Sequence, residues 1–217
     1  MNFFSHAVVA SSRSEDPRYI LGSMLPDFVS MAGLRLEKVS GDVPLERGVA
    51  FHHESDDAFH GAPIFVDLME RAREELEYEG LETGPSMAIG HVGVELLLDG
   101  WLVEQHGVIR HYRDAIDEAE HVDVLLHFAG LDRAQGSARW RRMAKRLAAA
   151  PVPESYTKPA FVADRLVMIL ASRPRLAVPF GKEGMVHSWA RRAQPKVAKA
   201  ATELFAQVER RLAGHKA

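Results

Sequence analysis

A stretch of ten residues, FHHESDDAFH at positions 51–60, has the residue types and the spacing of a metal site. In a helix, His52, Asp56 and His60 recur at every fourth position and share one face. Neutral imidazoles and carboxylates at one-turn spacing offer nitrogen and oxygen ligands from a rigid support, as a hard or borderline divalent metal requires. The same pattern also fits an exposed polar helix with pairing between residues four apart. The ten residues alone leave both interpretations open.

Two earlier segments each place one titratable group in an apolar run. His6 is the only titratable side chain of the first ten residues, and Asp27 follows Pro26 within LGSMLPDFV. A buried imidazole or carboxylate costs free energy unless it is hydrogen-bonded, paired or bound to a cation. We therefore expect a ligand role for Asp27, with a cap on a second short helix after Pro26 as the alternative. For His6 the pattern predicts either a hydrogen-bonded or a metal-bound imidazole.

The most apolar long segment, residues 86–106, carries three polar groups on one stripe. His91, Glu95 and Asp99 are four residues apart and share a helical face. Aligned polar groups inside a core helix indicate a metal site, and a satisfied buried hydrogen-bond network is the alternative.

Helices must position these groups. Apolar residues recur with helical periodicity through most of the chain, prolines and glycines punctuate the helices, and no alternating strand is visible. Residues 33–44 resemble a loop. The chain has 217 residues, 47% of them hydrophobic, which is enough to bury a sizeable core. We predict an all-α fold, a helical bundle in a single domain over residues 1–217.

Composition and charge exclude several classes of function. The chain has no cysteine, which excludes disulfides, thiolate zinc sites and cysteine nucleophiles. A formal net charge of −3 argues against general nucleic-acid binding, which needs clustered basic residues to neutralise phosphates. No basic region precedes the short apolar opening, and no apolar stretch approaches the roughly 20 residues that span a bilayer. We therefore expect a cytoplasmic protein without membrane insertion.

Groups from separate segments can converge in the core of a bundle, because distant helices project side chains inward. A metal held there with open coordination positions binds a phosphate oxygen, lowers the pKa of a bound water and supplies hydroxide for attack on a phosphodiester. Carboxylate-rich ligation favours Mn²⁺ or Mg²⁺, whereas the histidines also admit Fe²⁺ or Zn²⁺. Neither a Gly-rich phosphate loop nor a recognisable serine nucleophile motif is visible.

Four sequence blocks give the chain a resemblance to a known family. MNFFSHAVVA, LGSMLPDFV, GVAFHHESD and the late ILASRPRL stand in the order and approximate spacing of bacterial acyl carrier protein phosphodiesterases, over most of the chain. The resemblance implies an all-α relative of the HD phosphohydrolases. It also implies that the protein uses Mn²⁺ to remove the 4′-phosphopantetheine group from a carrier-protein serine.

The resemblance matches four family positions residue by residue: His6, Asp27, His52 and Asp56. The family usually has an Asp followed four and five residues later by Asp-His, near a Trp. At that place this chain has His91, then Glu95-Leu96, and Trp101, which keeps ligand-capable atoms at positions 91 and 95. The segment GHVGVELLLD also resembles the His-x3-Asp/Glu helices of zinc-dependent phospholipase C relatives.

The sequence therefore predicts a metal-dependent phosphodiesterase whose metal ligands converge on one pocket. Six residues supply the ligands and their supporting partners: His6, Asp27, His52, Asp56, His91 and Glu95. Four residues are candidates to orient the water or to accept a proton: Asp56, His53, Asp57 and Asp99. One alternative is a zinc-dependent phospholipase C-like or other small-molecule phosphohydrolase, and another is a non-catalytic helical metal-binding protein. A closed ligand shell would indicate a structural role, and an open position would indicate catalysis.

A carrier-protein substrate, whose surface the resemblance implies to be acidic, needs a basic docking surface. Five basic residues of one predicted helix form the candidate: Arg139, Arg141, Arg142, Lys145 and Arg146. Arg142 and Arg146 share a helical face, and such patches act mainly on the rate of encounter. The alternative is a solvated helix face with scattered charges.

Overall fold

A computed structural model describes residues 1–149 and 152–214, and it confirms the predicted all-α fold class. Ten α-helices lie in these ranges: α1 Phe3–Ser11, α2 Pro17–Met31, α3 Val43–His60, α4 Pro63–Tyr78, α5 Thr83–His106, α6 Arg110–Glu118, α7 Arg133–Ala149, α8 Val152–Ser155, α9 Pro159–Ala171 and α10 Glu183–Gly214. A 3-10 helix covers Asp123–Leu125, and two short strands are β1, Leu36–Val39, and β2, Leu126–Phe128.

The expectation that the chain lacks strands was wrong. β1 lies within the segment predicted as a loop, and it pairs with β2 as an antiparallel ribbon in which Leu36 lies opposite Phe128 and Val39 lies opposite Leu126. The register is irregular between Leu36 and Lys38. Strands of four and three residues are too short to produce a visible alternation of apolar and polar residues, which explains why the sequence pattern did not reveal them.

The described residues group into two compact units, each assembled from two stretches of the chain. Unit 1 contains residues 1–56 and the described residues from 108 to 152, and unit 2 contains residues 57–107 and the described residues from 153 onward. α3 contributes residues to both units. The single domain over residues 1–217 stays a prediction.

In unit 1, α2 begins at a side-chain cap and continues without a break to Met31. The Asp16 carboxylate accepts a hydrogen bond from the Arg18 backbone N–H, which satisfies one of the unpaired donors at the helix start. Pro26 lies inside the helix and removes one backbone donor. Asp27 is therefore a residue of the helix interior, and the alternative of a cap on a second short helix does not hold.

Aromatic packing holds α1 in the core of unit 1. The ring of Phe3 lies 5.3 Å from that of Phe28 on α2, and the ring of Phe4 meets Tyr112 of α6 edge-on at 5.4 Å. Both phenylalanines are buried. Such pairs contribute beyond the area they bury, and they keep His6, on the same helix, fully buried.

Two glycines let α2 and α3 approach to backbone contact within unit 1. A Cβ built on Gly22 would lie 2.8 Å from the Gly48 Cα and closer still to the Leu45 carbonyl oxygen. A Cβ on Gly48 would collide with the Tyr19 carbonyl oxygen. Since backbone atoms cannot move aside as side chains do, no larger residue fits either position without separating the helices.

Glycines also fix α5 within unit 2. A Cβ on Gly90 would lie 2.8 Å from the Met69 carbonyl oxygen of α4, and one on Gly93 would collide with the indole of Trp189 on α10. This close packing gives α5 a fixed position, and with it the buried side chain of Glu95.

α5 is the one helix of the described ranges that is long and apolar enough to cross a membrane, by length and composition, with a mean hydropathy of 1.3 in its most apolar window. The expectation that no segment reaches this length therefore does not hold for α5. However, 72% of that window is buried inside the protein. Such burial is typical of the core helix of a soluble protein.

We expect Gly48→Ala to lower the free energy of unfolding by about 1–3 kcal/mol, because the added methyl group meets the backbone of α2. Urea unfolding followed by circular dichroism measures the change. Gly184→Ala is the matched control, since a Cβ at this position of α10 meets nothing within 4 Å, and it should be neutral or slightly stabilising. Equal stabilities of the two variants would contradict the backbone contact.

Candidate metal centre

Three of the predicted ligands come together in unit 1. His6 on α1, Asp27 on α2 and His52 on α3 each present one ligand atom, and these atoms all lie within 4.8 Å of one another. Both histidines are buried, and Asp27 is half-buried. The two imidazole rings stack, with 4.1 Å between their centroids. We call His6, Asp27 and His52 the unit 1 cluster.

The hydrogen bonds around His6 decide which of its ring nitrogens carries the proton. The Ser55 hydroxyl donates its single proton to the His52 carbonyl oxygen at 3.0 Å, so it must accept from His6 Nδ1, which also lies 3.0 Å away. A neutral His6 protonated on Nδ1 has a lone pair on Nε2. That nitrogen is buried and makes no hydrogen bond among the described residues.

His52 is fixed in the same tautomer by a backbone carbonyl. Its Nδ1 lies 2.8 Å from the Ser23 carbonyl oxygen of α2. Because a carbonyl oxygen can only accept, Nδ1 carries the proton and Nε2 of a neutral His52 has the lone pair. Metal-binding histidines commonly donate their other N–H to such an acceptor, which orients the ring and sets the tautomer.

Burial keeps both imidazoles neutral. It lowers the pKa of His6 to about 3, although the nearby Asp56 carboxylate acts in the opposite direction. Burial also lowers the pKa of His52, against the effect of the hydrogen bond to the Ser23 carbonyl. At neutral pH the two Nε2 lone pairs are therefore available to a cation without the release of a proton.

Asp56 and His53 border the unit 1 cluster. Asp56 Oδ1 lies 3.7 Å from His6 Nε2 and accepts a hydrogen bond from the amino group of Met1 at 2.6 Å, and its side chain is 33% exposed. His53 is exposed, and its ring meets that of His52 edge-on at 5.3 Å. Both residues can therefore reach solvent next to the buried ligands.

The other two predicted ligands, His91 and Glu95 on α5, lie in unit 2 and form a second group with His60, the last residue of α3. The ligand atoms of this second group also lie within 4.8 Å of one another. Sequence reasoning placed His60 on the same helical face as His52 but did not assign it as a ligand. His60 follows Asp56 by four residues, as Asp56 follows His52, and this repeated spacing is the sequence signal that could have identified it as a ligand. We call His60, His91 and Glu95 the unit 2 cluster.

The carboxyl group of Glu95 is ionised. Burial acts to raise its pKa, but nearby positive charge and, to a smaller extent, the hydrogen bonds with His60 and His91 lower it, and the net result is a pKa well below the ordinary value.

The remaining candidates lie outside both clusters. Asp57 is exposed, whereas Asp99 is fully buried on α5, one turn beyond Glu95. Neither belongs to a group of three or more mutually close metal-ligating atoms in the described ranges. Three of the six predicted ligands thus belong to the unit 1 cluster, with Asp56 beside it, and two belong to the unit 2 cluster. The convergence of all six on one pocket stays a prediction.

Two imidazole nitrogens and one carboxylate oxygen suit a divalent transition metal, and the unit 1 cluster fits one on chemical grounds. Its donors are neutral lone pairs and a carboxylate, as metal ligands must be. Three protein ligands fill only part of a tetrahedral or octahedral shell, which is the arrangement of catalytic rather than structural sites.

No protein-family model, curated protein or solved structure matches the chain. The resemblance to acyl carrier protein phosphodiesterases therefore stays a prediction from four sequence blocks.

We expect the free energy of unfolding of the metal-free protein to fall as the pH drops from 6.5 toward 4. An unfolded histidine takes up a proton near pH 6.5, whereas buried His6 resists protonation until the pH approaches 3, so the unfolded chain binds more protons across this window. The His6 contribution is complete above pH 6.5 and is lost as the pH falls, with a slope of up to about 1.4 kcal/mol per pH unit.

Urea unfolding in the presence of a chelator, at pH steps through this window, measures the slope. His6→Gln should flatten it, because glutamine does not titrate, and His106→Gln, at an exposed histidine, should leave it unchanged. The same slope in His6→Gln and in the wild type would contradict the assignment.

Proposed function

We propose that the protein is a metal-dependent phosphodiesterase whose metal is held by the unit 1 cluster. One observation carries the proposal. Two buried imidazoles have their Nδ1 protons committed to Ser55 and to the Ser23 carbonyl, which preorganises both Nε2 lone pairs, and a nitrogen of each ring lies within 4.8 Å of an Asp27 carboxylate oxygen. A partly filled shell of this kind leaves coordination positions for water and for a substrate oxygen.

The chemistry of the donors and the sequence resemblance together favour Mn²⁺, while the two imidazoles also admit Fe²⁺ or Zn²⁺, and Mg²⁺ is the weakest fit. A divalent metal bound there supplies Lewis acidity, which lowers the pKa of water and offsets negative charge on a phosphoryl oxygen. His6 and His52 hold their lone pairs in fixed directions, and burial around them keeps bulk water away from the ligand atoms.

The residues that border the cluster can handle the protons of the reaction. As a water oxygen forms its bond to phosphorus and the bond from phosphorus to the alcohol oxygen breaks, Asp56 accepts the proton of the water. The leaving alcohol oxygen takes up a proton, and the exposed His53 imidazole is the candidate donor. The products are an alcohol and a phosphomonoester.

A cavity in unit 1 supports a phosphoester substrate of moderate size. It has a volume of about 490 Å³, within the range of small-molecule sites. Its lining includes His53 and Pro26, which are the chain neighbours of the ligands His52 and Asp27, together with Arg35 and Lys38. Glu37 and Glu46 line the cavity as well, so its basic and acidic side chains balance, and its size supports the substrate rather than its charge.

We extend the proposal to a carrier protein in the cytoplasm as the source of that substrate, with its 4′-phosphopantetheine arm as the group removed. Arg139, Arg142 and Arg146 are exposed and line one cavity of unit 1, of about 290 Å³, together with the apolar side chains of Met31 and Met143. Basic side chains next to apolar ones suit an acidic helical surface. Arg141, also predicted for this patch, lies 3.3 Å from Asp123 and is engaged in an ion pair.

The alternative of a small-molecule phosphohydrolase, including a zinc-dependent phospholipase C-like enzyme, draws on the same cavity beside His53. This alternative needs neither the carrier protein nor the basic patch. The effect of replacing the arginines of that patch on turnover therefore distinguishes the two substrates. A non-catalytic metal-binding protein would bind the metal and turn over no phosphodiester.

We expect Asp56→Asn to leave the fold intact and to lower metal affinity or turnover of a phosphodiester by at least about 10-fold, because asparagine is nearly isosteric but carries no charge. Manganese binding by titration calorimetry and hydrolysis of bis(p-nitrophenyl) phosphate measure the two effects. Glu54→Gln removes a carboxylate from the same turn of α3 at an exposed position and is the matched control. Metal affinity and turnover unchanged in Asp56→Asn would assign Asp56 to an ordinary surface pair.

We expect the double variant Arg142→Glu and Arg146→Glu to slow the release of phosphopantetheine from holo-carrier protein, and added salt to slow the wild-type reaction, because surface charges of this kind act on encounter. Both proteins should hydrolyse a small phosphodiester equally well.

The matched control for charge reverses Arg191 and Lys199, two exposed basic residues of unit 2, and should have the smaller effect on the carrier reaction. Turnover of holo-carrier protein that does not respond to salt or to Arg142 and Arg146 would reject docking at this patch. It would leave the small-molecule phosphodiesterase in its place.

A further inference from the structure

The unit 2 cluster brings three metal-ligating atoms into mutual contact. His60 Nε2 lies 3.1 Å from Glu95 Oε1 and 3.1 Å from His91 Nε2, and His91 Nε2 lies 3.2 Å from the same Glu95 oxygen. Three ligand atoms thus form a nearly equilateral triangle within unit 2.

With Glu95 ionised, no distribution of protons turns all three of these contacts into good hydrogen bonds. An imidazole nitrogen that carries a proton has no lone pair with which to accept, and one without a proton cannot donate. If both Nε2 atoms donate to Glu95, then two N–H groups face each other. If only one donates, then a lone pair of the other histidine faces the carboxylate oxygen.

A cation resolves this conflict, because all three atoms then point lone pairs at it. An ion at the usual Zn–N and Zn–O distances of about 2.0–2.2 Å from each atom would lie about 1 Å out of the plane of the triangle. The ligand–metal–ligand angles would be about 100°, between the octahedral and tetrahedral values, and one side of the ion would stay open.

The surroundings suit a metal site open to solvent on one side. The side chain of Glu95 is 11% exposed, whereas those of His60 and His91 are 31% and 43% exposed. Phe65 packs its ring edge-on against both imidazoles, with centroids 5.2 Å and 5.5 Å away. His91 and Glu95 lie one turn apart on a helix that glycine contacts hold in place, so two of the three ligands are fixed before any ion binds.

We propose that His60, His91 and Glu95 form a second metal site, which binds a divalent transition metal of the Zn²⁺, Fe²⁺ or Co²⁺ class with open coordination positions. Two imidazoles and one carboxylate select such ions over Ca²⁺ and Mg²⁺, which prefer oxygen ligands. The site does not depend on the phosphodiesterase activity proposed for the unit 1 cluster.

Zn²⁺ titrations of the chelator-treated full chain, by calorimetry and by metal analysis after dialysis, test the proposal. We expect His60→Asn and His91→Asn each to lose one bound Zn²⁺, or to bind it at least about 10-fold more weakly. His106→Asn is the matched control, because His106 lies on the same helix as His91 but is exposed and belongs to neither cluster. Asp27→Asn should retain the Zn²⁺ that the His60 and His91 variants lose, which separates this site from the unit 1 cluster.

The proposal would be overturned if His60→Asn and His91→Asn each bind as many Zn²⁺ ions as His106→Asn does, and with the same affinity. Circular dichroism checks that the variants fold. If the histidine variants do not fold, a Co²⁺ titration takes their place. It compares Asp27→Asn with the double variant that also carries Glu95→Gln. Visible Co²⁺ absorption bands in Asp27→Asn that disappear in the double variant with Glu95→Gln support the site, and their absence from Asp27→Asn overturns it.

Discussion

The backbone contact between α2 and α3 at Gly22 and Gly48 is the constraint on which the organisation of unit 1 depends. Ser23 follows Gly22 directly, and its carbonyl oxygen reaches His52, one turn after Gly48, only because no side chain separates the two helices. The same contact brings Asp27, further along α2, within 4.8 Å of a ring nitrogen of His52. Two glycines thus fix the positions of residues that have ligand-capable side chains. Close helix contacts of this kind give a helical scaffold the precision that metal ligation would require.

Burial and hydrogen bonding act on the two imidazoles of the unit 1 cluster in a way that favours ligation over packing. A buried His6 with an Nε2 lone pair costs free energy that an apolar side chain of similar volume would not. The hydrogen bond from Nδ1 to Ser55 offsets part of this cost. Nε2 makes no hydrogen bond among the described residues and stays available near Asp27 and Asp56. Local destabilisation of this kind is typical of functional sites, where the most stable arrangement is not the one that the chain retains.

The sequence predicted the helices and most of the candidate ligands because both leave local patterns, whereas it missed features that arise from tertiary pairing. Asp27 and His6 attracted attention as single titratable groups in apolar runs, and the structure brings them together with His52. β1 and β2 pair segments about 90 residues apart, so no local window contains both. His60 shares a helical face with His52, yet its partners come from α5, and no spacing along the chain encodes that contact.

The two clusters differ in how they prepare their imidazoles for a metal, and the difference follows from where the protons can go. In the unit 1 cluster, a hydroxyl and a backbone carbonyl accept the Nδ1 protons, so the Nε2 lone pairs exist before any ion arrives. In the unit 2 cluster, the Nε2 atoms of His60 and His91 face each other and Glu95, so a proton among them must leave when a metal enters. The burial of His6 and His52 keeps protons off the Nε2 atoms of unit 1 at neutral pH. The first arrangement would thus accept a cation without releasing a proton, whereas the second would release a proton as a cation binds.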